Sequence, residues 1–200
     1  VSVSALCFNT LSFSDKYLII SDRPETVMEP KHILKNHLHS TDGFVRLGPL
    51  MAIPSILREF GQEPKGILAE SNFKLTQFAD PDFETTYQSV GKLLARCVAI
   101  TGCEHFGLLA GQRATPSAFG VAGFMLQNSP DVGTALRDFA QHLGLHDQGG
   151  VVVLQTLGHI SLVGYAIQLP DVEAADQIYD LSIAIGCNFM RSMCGESWNP

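Results

Sequence analysis

Histidines, cysteines and acids at regular spacing are the raw material of metal centres and active sites. His142 and His146 stand four apart, the interval at which two imidazoles share a helical face and can hold a metal. Gly144 between them weakens that helix, and a histidine near a helix C-terminus is favoured by the dipole and the free carbonyls alone. Cys187 and Cys194 share a face and Cys97 and Cys103 flank a helix end, but no Cys-x-x-Cys or neighbouring His completes a zinc set, so they read as core thiols. Cys194-Gly195-Glu196-Ser197-Trp198 faintly echoes the surroundings of a thiol-protease nucleophile. A reactive thiolate, however, wants a helix N-terminus and a basic partner, whereas Cys194 closes a helix. Gly107, Gly111, Gly120 and Gly123 do not form a phosphate-cradling pattern, and their spacing suits close helix packing. A Gly-x-Ser-x-Gly turn is missing, and Asp80 and Asp82 read as helix-start acids. No nucleophile, base and oxyanion donor converge, so the sequence points away from an enzyme and calls for neither metal nor cofactor.

A binding pocket is the chemistry that remains. Gln112 and Arg113 end a short helix beside a glycine-rich connection, and Gln155 and Tyr165 lie on a strand pair that can face the helices across a cavity. A guanidinium fork suits a carboxylate, and tyrosine offers an apolar ring with a hydroxyl. These four are the candidate ligand residues, and an amino acid or carboxylic acid is the expected class of effector.

The 200 residues are 46% apolar, ample for a packed core. With 13 Lys and Arg against 20 Asp and Glu and no basic cluster, the chain lacks the electrostatic footprint for a phosphate backbone. Five cysteines, odd in number, suggest a reducing cytoplasm. Neither a signal peptide nor an apolar run of about 18 residues is present, so no membrane is expected.

The elements that must position the candidate residues follow from periodicity. Residues 1–46 show no sustained period and read as a poorly ordered leader with a short strand near Tyr17–Ile20, and residues 47–200 as one domain. The chain opens on Val1, with Met28 its first methionine, so residues 1–27 are suspect as native sequence. Leu50, Ile53, Ile56, Leu57 and Phe60 form a helical stripe, with Pro54 a source of a kink and Gly61 a stop. Pro64–Glu70 reads as a short helix, and Asp80-Pro81 as the start of a long one that Gly102 ends. Helices over Glu104–Gly111, Pro116–Gln127 and from Ser129-Pro130-Asp131 to Gly144 come next. The period then changes to two over Val151–Leu157 and Ile160–Leu169, a hairpin turning at Gly158-His159. A helix over Val172–Met193 closes the pattern, and a bare hairpin needs it, the other helices or absent strands as packing partners. The fold class is α+β: a predominantly helical domain with a β-hairpin followed by a long helix.

Gly111, Gly120, Gly123, Ser129-Pro130, Gly133 and Ala135-Leu136, then the hairpin, the long helix and Gly195-Glu196-Ser197-Trp198-Asn199-Pro200, resemble the N-terminal effector domain of AraC-type transcriptional regulators, in its helical arabinose-binding-like subclass. The resemblance runs from Leu47 to Pro200. Phe119 and Phe124 depart from it, standing where polar and tyrosine-like residues are expected. It implies a sensor of a small-molecule effector, a homodimer, and DNA contact made only through a helix-turn-helix module beyond Pro200, the chain being a fragment. The alternative is a ligand-independent dimerisation domain using the helix Val172–Met193.

Overall fold

The computed structural model describes residues 17–20, 43–157 and 160–198. Its elements are β1 (Tyr17–Ile20), β2 (Phe44–Arg46), α1 (Ile53–Glu59), α2 (Pro64–Glu70), β3 (Glu84–Thr86), α3 (Tyr87–Thr101), α4 (Phe106–Gln112), α5 (Gly120–Gln127), α6 (Val132–His142), β4 (Gly150–Leu157), β5 (Ile160–Ile167) and α7 (Ala175–Cys194). This is the mostly helical α+β fold expected, with the hairpin β4–β5 leading to a long last helix. The hairpin is antiparallel, with Val152 opposite Tyr165 and Gln155 opposite Leu162. β1 adds an antiparallel third strand along β5, a partner for the hairpin that comes from the front of the chain. The disorder expected for the rest of residues 1–42, and the turn at Gly158-His159, lie outside the described residues.

Local chemistry explains most of the boundaries. Glu63 accepts from the Lys65 amide in front of Pro64, which suits the first turn of α2. Asp131 accepts from the Thr134 amide at 2.8 Å and opens α6. Gly102 ends α3 at φ 66°, a left-handed position that glycine takes without strain. Pro54 sits in the first turn of α1, where its missing N–H is no loss, and a separate 3-10 turn, Gly48–Leu50, precedes that helix.

Two expectations need correction. The long helix does not begin at Asp80-Pro81. The Asp80 carboxylate accepts from the Asp82 amide in a turn, Glu84–Thr86 pairs as a strand with Phe44–Arg46, and Thr86 caps α3 by accepting from the Ser89 amide at 3.2 Å. Consecutive β-branched threonines and a hydroxyl cap outweigh the Asp-Pro signal. The last helix likewise begins at Ala175, because Asp171 and Ala174 take positive φ values of 54° and 47° in the connection from β5.

Helices α4 and α7 pack so closely that a side chain has no room at two glycines of α4. A Cβ on Gly107 would lie 2.0 Å from the Gln177 carbonyl oxygen, and one on Gly111 2.3 Å from that of Leu181. The close approach lets α7 cap α4 from outside. Gln177 accepts from the Gly107 amide at 2.9 Å and donates to the Glu104 carbonyl at 2.8 Å. Asn188 Nδ2 shares its hydrogens among the carbonyls of Gly111, Gln112 and Ala114 at 2.9–3.1 Å. The free donors and acceptors at the two ends of α4 thus find partners on a neighbouring helix. Beneath lies the main core, where Leu47, Ile53, Leu57, Leu68, Leu93, Leu94 and Phe106 are fully buried.

Gly107→Ala should therefore lower stability by about 2–3 kcal/mol, since backbone rather than a flexible side chain must move. Gly66→Ala, on the exposed side of α2 with nothing near its missing Cβ, should raise it by about 0.5–1 kcal/mol. Urea unfolding of both variants checks the pair, and equal effects would remove the close-packing account.

Candidate functional site

A cavity of about 120 Å³ lies between the hairpin and α7, closed by α6, β2 and the start of α3. For scale, a dry cavity of about 150 Å³ admits benzene. Its walls are mostly apolar: Leu136 and Phe139 from α6, Val152 and Val163 from the hairpin, and Ile178, Leu181, Ile185 and Phe189 from α7. Phe119, Phe139 and Phe189 pack edge to face with centroids 5.1–5.6 Å apart and form one end.

The polar lining is concentrated around His146 and Asp147. Asp147 is buried and carries four hydrogen bonds. Its Oδ1 accepts from the amides of Gly149 and Gly150 at 3.0 and 2.9 Å, and its Oδ2 from the hydroxyls of Tyr87 and Tyr165 at 2.6 and 2.5 Å. The two hydroxyls also touch each other. Burial pushes the Asp147 carboxyl above its ordinary range, against the pull of the four donors. Burial, with the neighbouring Asp147, holds Tyr87 and Tyr165 well above the usual phenol value, so both remain protonated donors.

His146 is 5% exposed, and its ring lies 4.5 Å from that of Phe119. Burial, reinforced by the Arg46 charge and opposed by Asp82, lowers its pKa to about 4. Its Nε2 is buried without a hydrogen-bond partner. The Arg46 amide donates to the His146 carbonyl at 3.0 Å, which sets the two residues side by side. The Arg46 guanidinium reaches Asp82 at 2.8 Å and Glu84 at 3.8 Å, while its Nε is buried and unpartnered.

The four residues expected to bind ligand are not brought together. Tyr165 lines the cavity. Gln155 sits on the same strand as Val152 but three residues along, so the period of two turns it to the other face. Gln112 is exposed, and Arg113 places both terminal nitrogens on the Glu59 carboxylate at 2.6 Å on the outer surface. His142 and His146 also part company, since His142 Nδ1 lies 2.8 Å from the Asp138 carbonyl while His146 faces the cavity. Among the described residues no cluster of three or more His, Cys, Asp or Glu is placed to hold a metal. Cys97, Cys103, Cys187 and Cys194 are free, and burial lifts Cys97 to about 12.

Sequence reasoning missed Arg46, Tyr87, His146 as a pocket group, and Asp147. Asp147 had a legible signal, because an Asp two and three residues before Gly149-Gly150 is the pattern of a side chain bonding the backbone ahead of it. Tyr87 counted only as one apolar position on a helical stripe, and Arg46 lay in a segment without period.

A mostly helical α+β domain with a mostly apolar cavity and a polar end has the form of a small-molecule site. The sequence model of the arabinose-binding domain of AraC transcription regulators, N-terminal, matches residues 61–200, and the chain belongs to that family. The family is a regulatory ligand-binding domain of transcription regulators and not an enzyme class. No curated protein matches the chain. Among the described residues no single helix is long and apolar enough to cross a membrane.

The buried His146 makes stability depend on pH in a definite direction. Neutral in the folded chain down to about pH 4 and free to protonate near 6.5 when unfolded, it favours folding fully above pH 6.5 and loses that contribution as pH falls towards 4. The raised Asp147 runs the other way, favouring the folded state at low pH and losing that as pH rises through its elevated value. Between pH 7.5 and 4.5 the His146 part amounts to about 2–3 kcal/mol. His146→Phe, which keeps a ring against Phe119, should remove that much of the stability lost over this interval in urea unfolding; an undiminished loss would mean that the folded imidazole accepts a proton.

Proposed function

We propose that this domain senses a small-molecule effector held in the cavity between the hairpin and α7, and that occupancy controls a DNA-binding module of the same regulator. The observation that carries the reading is a mostly apolar cavity with buried, unpartnered nitrogens on two of its residues, in a member of a regulatory ligand-binding family. The effector works by changing how α7 and the hairpin pack, and through them the contact with a partner subunit or with the DNA-binding module. We take the sensing unit to be residues 47–200, with Val45 and Arg46 of the preceding segment at the cavity's edge. We take the regulator to act as a homodimer in the cytoplasm.

The effector classes to test are amino acids and carboxylic acids, suggested by the sequence, and neutral oxygen compounds, suggested by the lining. Arg113 favours the first group only if it leaves Glu59, so the case for an anion passes to Arg46. The alternative, in which α7 serves as a ligand-independent dimer interface, is weakened by the use of Leu181, Ile185 and Phe189 as cavity wall.

A ligand that binds only the folded chain raises its melting temperature in proportion to the logarithm of ligand concentration once well above Kd. A thermal-shift series over these classes should give at least one such rise, and Val152→Phe, which fills the cavity from β4, should abolish it while the variant stays folded. A rise that survives Val152→Phe would place the ligand elsewhere, and no rise from any class would favour the dimerisation reading.

A further inference from the structure

The cavity's polar end limits the charge of what it can hold. Arg46 and His146 are adjacent, both line the cavity, and each has a buried nitrogen without a partner, Nε in one and Nε2 in the other. An arginine Nε–H is always a donor, and a neutral imidazole nitrogen is a donor or an acceptor according to its tautomer. An oxygen placed between them would satisfy groups that are costly to leave bare.

The charge at that end is already spoken for. The Arg46 cation faces the carboxylates of Asp82 at 2.8 Å and Glu84 at 3.8 Å, and the buried Asp147 lies next along the chain. An incoming carboxylate would lose its water beside a cation already neutralised, the situation in which burying a charge is unfavourable. An incoming ammonium would look to Asp147, but both its oxygens are taken, by two amides and two hydroxyls. The remaining lining is hydrocarbon and aromatic except for Ser182 on α7, whose hydroxyl donates to the Ile178 carbonyl at 2.8 Å.

We propose that the ligand is a neutral, largely apolar molecule of about six to eight non-hydrogen atoms, near the size of benzene, with one oxygen seated between Arg46 and His146. This rests on the cavity being the effector site. A ketone, lactone, ester or simple alcohol fits the description, and an amino acid or a carboxylate does not.

Three small-ring probes within that size range vary the head group: cyclohexanone, cyclohexane and cyclobutanecarboxylate, titrated into the 200-residue chain at pH 7.5 with amide chemical shifts as readout. Cyclohexanone should shift residues around the cavity and bind about five- to tenfold tighter than cyclohexane, the effect of one or two hydrogen bonds. Cyclobutanecarboxylate, with as many non-hydrogen atoms as the ketone, should leave those resonances in place at concentrations that saturate with the ketone. His146→Phe and Arg46→Met should each bring the ratio of ketone to hydrocarbon affinity towards one, a change that a general loss of packing would not produce. A carboxylate that binds tighter than the ketone overturns the neutral assignment and leaves the sensing reading standing. Equal affinity for ketone and hydrocarbon overturns the seat between Arg46 and His146. No response to any of the three overturns the cavity as a binding site, and the function proposed for it falls with it.

Discussion

A carboxylate taken out of water must find donors for both oxygens, and in this domain Asp147 finds them on three different pieces of the chain. Tyr87 comes from the first residue of α3, Tyr165 from the middle of β5, and the two amides from the turn that leads into β4. Because all four donors meet one group, the hairpin cannot slide along α3 without stranding a buried charge. The same demand explains two glycines. A Cβ on Gly149 would lie 2.5 Å from the Tyr87 ring and one on Gly150 2.1 Å from the Tyr165 hydroxyl, so the turn carries no side chains where the phenols converge. The cavity's position follows from this junction, since its roof is the hairpin and its polar end the neighbouring His146.

The opposite wall has its own constraint. Helix α7 touches α4 through Gly107 and Gly111 and supplies the missing caps of α4 through Gln177 and Asn188. Residues between those two, Ile178, Leu181 and Ile185, turn towards the cavity. One helix therefore holds α4 by hydrogen bonds that break over short distances and lines the cavity with side chains that tolerate small shifts. A molecule that pushes on α7 acts directly on the packing of α4, with no intervening layer.

How much of this can be read from sequence depends on whether a signal is local. The stripes from Val90 to Cys97 and from Ile178 to Phe189 are local, and so are the caps at Asp131 and Gly102, and these elements stand where periodicity places them. The helix start at Thr86 is harder, because it turns on Glu84–Thr86 finding Phe44–Arg46 some forty residues away. The site is harder still. Asp147, Tyr87 and Tyr165 meet across 60 and 18 residues of sequence, and no spacing rule joins them. Arg113 shows the opposite failure: its chemistry suits a ligand, but the nearest carboxylate in the fold is Glu59, and the pair faces water on the outer surface.

An empty apolar space is a cost that a purely structural domain has reason to lose. Side chains around a cavity of about 120 Å³ forgo part of the contacts they would make in a filled interior. Collapse would normally recover some of them, but here the walls are held apart from both sides. The hairpin is fixed by Asp147 and α7 is fixed by its contact with α4. Gly186, on the stripe of α7 that lines the cavity, presents no side chain to fill it. On the proposed reading, the forgone contacts and the two buried nitrogens without partners are both relieved by one event, the entry of a molecule with an apolar body and a polar end. A ligand bound there would stabilise the folded domain, and the difference between its occupied and unoccupied states is the free energy a sensor has available to pass on.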